Sequence, residues 1–250
     1  MTEFRLLEDG FSDAFTNMAT DEAIMRLHKE GPPTVRLYRW KPHAVSIGYF
    51  QGIEEEVDLA KAEELNCDVV RRITGGGAVF HEHELTYSFV CSEKSGLVPK
   101  NILESYRTIC GSIINGLDGI GLKAEFAPLN DIIVNGKKIS GNAQTRRGGN
   151  VLQHGTLLMD LSVDKMFSLL KVPDEKMRGK IIENVKQRVT SIEQETKREY
   201  SFRDVADEIK KGFEKAFDAE LVPGELSSEE LELAKELREK FEGKEWNYLR

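Results

Sequence analysis

The chain has 250 residues and a formal net charge of -8, with 43 acidic against 35 basic side chains. Its 40% hydrophobic and 31% charged residues fit a globular protein with a packed core and exclude a disordered or collagen-like chain. The acidic balance predicts no general attraction to nucleic acid or to anionic membranes, and no run of about 18 apolar residues could span a bilayer. The N-terminus lacks the basic and apolar regions of a signal peptide, so we expect a cytoplasmic location.

The first half of the chain has the pattern of a helix followed by strands. Apolar residues recur at helical spacing from Ala19 to Leu27, and Gly31 with the two prolines after it ends that helix. From Asn101, a suitable N-cap, apolar side chains trace one face of a long helix as far as Leu117. The β-branched and alternating stretches between these helices predict strands at 34–38, 43–49, 68–72 and 85–90.

The middle of the chain predicts a three-stranded meander over residues 131–161. Asn135-Gly136 separates two strand-like runs, and both residues tolerate the positive φ angles of a tight hairpin turn. A second turn is expected at Gly148-Gly149, where the chain returns for the third strand.

The remaining residues are mostly helical by pattern. Ser201 and Asp204 have the spacing of a capping box, and the segment 220–225 is a candidate hinge before a final amphipathic helix. We therefore predict an α+β fold with a largely antiparallel mixed sheet flanked by helices. We expect one domain over residues 1–250, with a helical C-terminal segment at about 201–250.

A glycine-rich segment between two predicted strands is the first candidate site. Backbone N–H groups in such a loop can bind an anion, and flanking arginines supply fork-shaped donors for phosphate or carboxylate oxygens. An ordinary flexible turn is the alternative interpretation of the glycines. The segment consists of Arg71, Arg72, Ile73, Thr74, Gly75, Gly76, Gly77, Ala78, Val79, Phe80 and His81.

Lys138 and the pair Asn130-Asp131 form the second candidate site, on either side of the first meander turn. A lysine on a hairpin strand can stabilise developing negative charge, although most lysines face water. Asn130 could present an amide, and Asp131 could bind Mg²⁺, but Asn-Asp is also common in turns.

The histidines and cysteines give weaker signals. None of the five histidines belongs to an HExxH motif, so zinc has little support, and His154 on a predicted strand is either a structural histidine or a ligand contact. The three cysteines, Cys67, Cys91 and Cys110, are scattered, which indicates a reducing compartment and positions in the core.

Four stretches together resemble the lipoate-protein ligase family, within the larger group that also holds biotin-protein ligases and octanoyl transferases. Residues 171–176 and RVTS at 188–191 look like the ligase type, and EWN at 245–247 looks similar to short archaeal-style ligases. The four stretches are NMATDEA at 17–23, RRITGGGAVFH at 71–81, ND at 130–131 with GKKISGNAQ at 136–144, and QHGTLL at 153–158.

The resemblance implies a biotin/lipoate ligase-like catalytic domain that uses ATP and Mg²⁺. Such an enzyme activates lipoate as lipoyl-AMP and transfers the lipoyl group to a lysine of a lipoyl-domain carrier. The implied carriers are 2-oxoacid dehydrogenase E2 subunits and the glycine cleavage H protein. Many bacterial ligases carry a C-terminal accessory domain for which this chain has no room, so a separate accessory protein is also implied.

The resemblance also implies roles for the residues of this chain that match the family's motifs. Arg71, Arg72 and the loop from Gly75 to Phe80 would form a wall against lipoate and the adenylate, and Lys138, as the catalytic residue, would contact the acyl carboxylate and the α-phosphate. Asn130 and Asp131 would lie at the phosphate and Mg²⁺ end. His81, His154 and Thr156 lie in the matching stretches and are the remaining candidates for substrate or ATP binding.

An octanoyl transferase of the same fold is the nearest alternative, and it would carry the acyl group on a cysteine thiolate. In some such relatives the cysteine lies just before the Gly-Lys-Lys hairpin, and in others after the strand of the His-Gly pair. This chain has no cysteine in residues 124–131 and none after Cys110, which favours the ligase. A catalytically idle subunit that binds lipoate or carrier domains is a further alternative.

Overall fold

The computed structural model describes residues 2–172 and 174–250. Met1 lies outside them, as does Pro173 in the ligase-like stretch 171–176. The strands are β1 (Thr2–Ser12), β2 (Thr34–Trp40), β3 (Ala44–Ile47), β4 (Asp68–Arg71), β5 (Val79–His81), β6 (Glu84–Ser92), β7 (Ala124–Ala127), β8 (Asp131–Val134), β9 (Lys137–Arg147), β10 (Asn150–Leu158) and β11 (Ala219–Pro223).

Helices cover both faces of the larger of the two sheets that these strands form. The helices are α1 (Ala14–Leu27), α2 (Ile53–Glu56), α3 (Leu59–Glu64), α4 (Ile102–Gly119), α5 (Val163–Leu169), α6 (Arg178–Arg188), α7 (Ile192–Thr196), α8 (Phe202–Phe217), α9 (Ser228–Glu242) and α10 (Lys244–Asn247).

The large sheet has eight strands in the order β11-β1-β2-β6-β10-β9-β8-β7. Strand β1 runs parallel to both of its neighbours, and the other pairs in this sheet are antiparallel. A second sheet has the order β4-β3-β5 and holds the strands on both sides of the glycine-rich segment. The prediction of an α+β fold with a largely antiparallel mixed sheet flanked by helices is confirmed.

Two hydrophobic clusters attach the helices to opposite faces of the large sheet. On one face, Ile113 of α4 and Phe213 of α8 are fully buried against sheet residues such as Phe89. On the other face, α1 and α9 contribute Ala23 and Phe241 to a cluster that includes residues of β2 and β10. Burial of these apolar side chains is the main favourable contribution to folding.

Local signals in the sequence set several element boundaries. Asn101 accepts a hydrogen bond from the Glu104 N–H as the N-cap of α4, and Ser201 and Asp204 form the expected capping box of α8. Asn135 and Gly136 both have positive φ, at 51° and 76°, as a tight hairpin turn requires. The predicted meander is therefore present as β8, β9 and β10.

The predicted hinge at 220–225 is wrong. Most of this segment belongs to β11, which pairs in parallel with β1, so that Leu221 lies opposite Phe4. Ala219 and Leu221 point into the core while the residues between and after them are exposed, which is the alternation of a half-buried edge strand. Its partner is the N-terminal strand, more than two hundred residues away in sequence, and the local turn signal of Pro223-Gly224 carries no information about that pairing.

Candidate active site

A cleft with an empty volume of about 540 Å³ opens between the glycine-rich loop and strands β9 and β10. It is the candidate active site because it brings together most of the residues that the sequence motifs single out. Its lining consists of Met18, Tyr38, Trp40, Ser46, Arg72, Gly76, Gly77, Val79, His81, Thr86, Asn130, Lys138, Gly141, Asn142, Ala143, His154, Gly155 and Thr156.

The structure separates the predicted site residues into two groups. Those on the cleft wall are Arg72, Gly76, Gly77, Val79, His81, Asn130, Lys138, His154 and Thr156. Those outside the lining are Arg71, Gly75, Ala78, Phe80 and Asp131. Phe80 packs into a hydrophobic cluster beneath the small sheet, and Arg71 is fully buried among backbone carbonyls, so neither forms the expected wall of the site.

Arg72 organises the glycine-rich loop from within. Its guanidinium donates to the carbonyls of Gly75 and Gly77, each at 2.7 Å, and to the carbonyl of Ser46 at 2.9 Å. All of its hydrogen-bond acceptors among the described residues are uncharged. Burial lowers the pKa of Arg72 to about 10, so the group keeps its positive charge near neutral pH. The cleft therefore contains a cation that no carboxylate of the described chain neutralises.

The loop also rests against the backbone after β3. A Cβ atom on Gly48 would lie 2.0 Å from the carbonyl oxygen of Gly76, so only glycine allows this close approach. Gly76 itself has a φ of +93°, which disfavours other residues there. These two glycines fix the position of the loop relative to the small sheet.

A β-bulge near the start of β9 precedes the polar wall of the cleft. Ile133 pairs with Lys138, whereas Ile132 pairs with Ser140, so Ile139 is an extra residue in β9. The ammonium group of Lys138 reaches into the cleft and lies 2.7 Å from Oδ1 of Asp131. Lys138, which lines the cleft, and Asp131 thus form a partly exposed ion pair.

Two asparagines close the wall beside Lys138. The amide of Asn130 donates to the carbonyl of Asn142, and the amide of Asn142 donates back to the carbonyl of Asn130 at 2.9 Å. The Tyr87 hydroxyl donates to Oδ1 of Asn142 at 2.6 Å. Asn130 is therefore held by reciprocal hydrogen bonds. Asn142 is a site residue that lies within the motif at 136–144, but the motif alone does not single it out.

A buried polar network lies beneath the cleft and involves His154. Its Nδ1 lies 3.2 Å from Oδ2 of Asp21, and its Nε2 lies 2.7 Å from the Thr74 hydroxyl. Because the carboxylate only accepts, Nδ1 carries the proton, and Nε2 of the neutral ring then accepts from Thr74. Both ring nitrogens are thus occupied within the protein, which favours the structural interpretation of His154.

The residues around Asp21 determine the charge of its carboxyl group in this network. Burial raises the pKa of this carboxyl group, but the hydrogen bond from His154 and the charge of Arg36 outweigh it and hold the pKa below its ordinary value. Arg36 and Tyr38 donate to Asp21 at 2.9 Å each, and Ser88 at 2.8 Å. Asp21 therefore remains ionised beneath the cleft and orients Thr74 through His154.

The opposite end of the cleft is aromatic. The ring of His81 stacks on Trp40 with centroids 3.9 Å apart, and His81 also contacts Ser46 at 2.8 Å and Glu84 at 2.7 Å. Trp40, Tyr38 and Met18 were not predicted as site residues. Their signal was only that of core strand and helix positions; Tyr38 and Trp40 reach the cleft on β2, and Met18 reaches it on α1.

The expected Mg²⁺ contact is not a preformed metal site. Within residues 2–172 and 174–250, no three His, Cys, Asp or Glu side chains are grouped so that they could hold a metal ion. Asp131 is the one carboxylate that pairs with Lys138 among the described residues. One carboxylate fits a Mg²⁺ ion that is bound mainly through nucleotide phosphates, and it does not fit a resident metal held by the protein.

No helix in the described part of the chain is long and apolar enough to cross a bilayer.

Comparison with known proteins shows the family. Over residues 13–214 the sequence matches the lipoyl protein ligase A/B catalytic domain. It is 37% identical to octanoyltransferase LipM of Brevibacillus brevis, with 100% of each chain covered. It is 36% identical to octanoyltransferase LipM of Bacillus subtilis, covering 99% of this chain and 98% of the relative.

Solved structures of lipoate-protein ligases share the whole fold. A bi-partite lipoate protein ligase from Thermoplasma acidophilum, studied with its E2 lipoyl domain, has 34% identity and a TM-score of 0.91, covering 99% of this chain and 97% of the other. A lipoate-protein ligase A bound with ATP has 31% identity and a TM-score of 0.85, covering 99% of both chains. The chain therefore belongs to the lipoyl protein ligase A/B catalytic domain family, as an enzyme of the branch that contains lipoate-protein ligases and octanoyltransferases.

Proposed function

We propose that the chain is an ATP-dependent lipoate-protein ligase, which forms lipoyl-AMP and then transfers the lipoyl group to a lysine of a lipoyl domain. The observation that carries this proposal is the chemistry of the cleft: among the described residues its lining holds the cations Arg72 and Lys138 but no thiol. All three cysteines of the chain are buried, and burial raises the pKa of each to about 12. A thiolate nucleophile is therefore scarce at neutral pH, whereas an adenylating enzyme needs none.

In the first step, a carboxylate oxygen of lipoate attacks the α-phosphorus of ATP, an acyl-phosphate bond forms, and pyrophosphate leaves. The ammonium of Lys138 stabilises the negative charge that grows on the α-phosphate oxygens. Without substrate, Lys138 is paired with Asp131, and in the first step the substrate replaces Asp131 as its partner. Lys138 therefore has an anionic partner in both states. The buried guanidinium of Arg72 adds fixed positive charge from the glycine-rich side of the cleft.

In the second step, the neutral amine of a carrier lysine attacks the acyl carbonyl carbon, the amide bond forms, and AMP leaves as the amine loses a proton. The glycine-rich loop and the wall of β9 and β10 hold the mixed anhydride between them, which limits its hydrolysis by water. Mg²⁺ would enter with the nucleotide and neutralise phosphate charge, with Asp131 as the carboxylate available to it.

Octanoyl transfer is a second candidate, and the names and full-length match of the curated relatives favour it. It would move an octanoyl group from a carrier thioester to an enzyme thiol and then to the acceptor lysine. Cys110 is buried behind the cleft wall and is linked to it through hydrogen bonds: the Gln153 amide lies 3.7 Å from its sulfur and donates to the Tyr87 hydroxyl, which donates to Asn142 of the lining. Transfer through Cys110 requires a thiolate from a group with a pKa of about 12.

The carriers in the proposal are lipoyl domains of 2-oxoacid dehydrogenase E2 subunits and the glycine cleavage H protein. The bi-partite organisation of the Thermoplasma relative supports a separate accessory subunit for this chain as well. Lipoylation of a purified lipoyl domain in a single turnover, with the chain alone, would argue against the accessory subunit.

Two parallel assays test the function. In one, the purified chain receives ATP, Mg²⁺ and lipoate, with octanoate, biotin and no acid as comparisons, and lipoyl-AMP is measured by mass spectrometry. In the other, it receives an octanoyl-carrier thioester and a lipoyl domain without ATP. Lipoyl-AMP in the first assay and no transfer in the second support the ligase, and the reverse pattern supports the transferase.

A further inference from the structure

The C-terminal residues Trp246 and Asn247 hold the strand that leads into the glycine-rich loop. Strand β4 is an edge of the small sheet, so the outer N–H and C=O groups of Arg71 have no strand partner in the part of the chain that the structure describes. The Asn247 side-chain oxygen accepts from the Arg71 N–H at 2.7 Å, and the indole N–H of Trp246 donates to the Arg71 carbonyl at 2.7 Å. Two side chains thus replace a neighbouring strand at this position.

The Arg71 side chain completes the connection. It is 0% exposed, and its guanidinium donates to the backbone carbonyls of Trp246 at 3.0 Å and Asn247 at 2.8 Å. The same group donates to the carbonyls of Tyr49 at 2.9 Å and Gln51 at 2.6 Å. Arg71 therefore joins the C-terminal residues to the segment that follows β3, and its donors are used within the protein.

That segment is in direct contact with the loop. The Tyr49 N–H donates to the Thr74 carbonyl at 2.9 Å, and the Gly48 backbone touches the Gly76 carbonyl. Asn247 is in turn tied to the end of α9, because its amide donates to the Phe241 carbonyl at 2.6 Å. A continuous set of hydrogen bonds and contacts therefore runs from α9 to the loop.

We infer that Trp246 and Asn247 are positioning residues for the reaction proposed above, which act through Arg71 on the glycine-rich loop without touching the cleft. Neither residue belongs to the cleft lining. When their contacts with Arg71 are lost, the loop can adopt other conformations besides the one that binds the acid and the nucleotide. Substrate binding must then restore that geometry, which raises KM more than it lowers kcat.

Two variants test the inference, with a matched control in the same helix. Trp246→Phe removes the indole N–H together with one of the two fused rings, and it keeps a single aromatic ring near Tyr49 and Phe241. Asn247→Ala removes the side-chain acceptor for Arg71 and the donor to Phe241. Glu245→Gln, at an exposed position beside them, is the control.

For Trp246→Phe we expect KM for lipoate and ATP in lipoyl-AMP formation to rise about fivefold, the effect of one hydrogen bond, with kcat changed less than about twofold. Amide hydrogen exchange at Tyr49, whose N–H is bonded to Thr74, should become faster, while Glu245→Gln leaves both quantities unchanged. Asn247→Ala should give larger changes in the same direction.

Unchanged KM and unchanged Tyr49 exchange in Trp246→Phe would overturn the inference, and so would a lower melting temperature with no change in KM. If the wild-type chain forms no lipoyl-AMP, the proposed function fails separately. The exchange rate at Tyr49 and lipoate affinity measured by calorimetry then decide the positioning role in the same variants.

Discussion

The ammonium nitrogen of Lys138 lies 2.7 Å from Oδ1 of Asp131, in an ion pair whose side chains are 41% and 33% exposed. Such a solvated pair contributes little to stability, about 0–1 kcal/mol. Its components can therefore separate at small cost when a stronger anionic partner enters the cleft. The ammonium group of Lys138 is therefore available to another anionic partner.

Lys138→Ala is expected to reduce lipoyl-AMP formation by about 10²–10³-fold, the effect of removing one group that stabilises transition-state charge. Pyrophosphate release with ATP and lipoate measures it. Lys137→Ala is the matched control, because Lys137 lies on the same strand and interacts with Glu195 rather than with the cleft. Wild-type release by a folded Lys138→Ala protein would exclude Lys138 from the adenylation step.

Cys110→Ser is expected to keep lipoyl transfer within about threefold of wild type, since a serine hydroxyl can replace the weak contact with Gln153 and no thiolate is needed in the ligase mechanism. Transfer to a lipoyl domain, measured by intact mass, gives the result. Loss of transfer, together with an acyl thioester on Cys110 in the wild-type chain, would establish the octanoyl transferase instead.

Stability should fall as the pH is lowered from about 6.5, because burial lowers the pKa of His154 from its ordinary value of 6.5 in spite of the hydrogen bond with Asp21. The unfolded chain then binds a proton near pH 6.5 that the folded chain binds only at lower pH. Chemical unfolding at several pH values between about 7 and 5 measures this loss. Asp21, whose pKa is lowered, adds a further loss only in a more acidic range, below its ordinary value of 3.8.

His154→Gln removes the titrating ring and should flatten the pH dependence of the free energy of unfolding between pH 7 and 5, although its stability at neutral pH is lower. An equally steep dependence in this variant would assign the effect to other groups. His28 and His43 are the ones to examine next, since burial also lowers their pKa values.

Gly48→Ala should displace the glycine-rich loop, because the added Cβ would lie 2.0 Å from the Gly76 carbonyl oxygen. We expect the free energy of unfolding to fall by about 1–3 kcal/mol, as in other overpacked sites, and KM for lipoate to rise. Gly31→Ala is the control, since its Cβ would meet no atom within 4 Å. A variant with unchanged stability and unchanged KM would show that the loop adapts freely.

Local sequence signals predicted much of this structure, since caps and turns depend on neighbouring residues. The capping box at Ser201 and the turn at Asn135-Gly136 are examples. Strand β11 was missed because its partner β1 lies at the other end of the chain, and hydrogen bonding between them leaves no local pattern. The α+β fold followed from the periodicities, but its strand order did not.

Some residues of the candidate site could likewise be predicted from local motifs, and others could not. Motifs located the glycine-rich loop, Asn130 and Lys138, which lie within two short stretches. They also pointed to Arg71, whose contacts with the C-terminal residues could not be read from the sequence around it. Trp40 and Asp21 were missed as functional positions because an apolar strand residue and a helix carboxylate have many other roles.

The pairing of β1 between β11 and β2 has a consequence for synthesis on the ribosome. One edge of the N-terminal strand remains without its partner until residues 219–223 have been made and have left the exit tunnel. Helix α9, which packs beside α1 on one face of the large sheet, emerges later still. The nascent chain therefore exposes an unpaired strand edge and apolar surface until β11 and α9 have emerged, which is a period of vulnerability to aggregation.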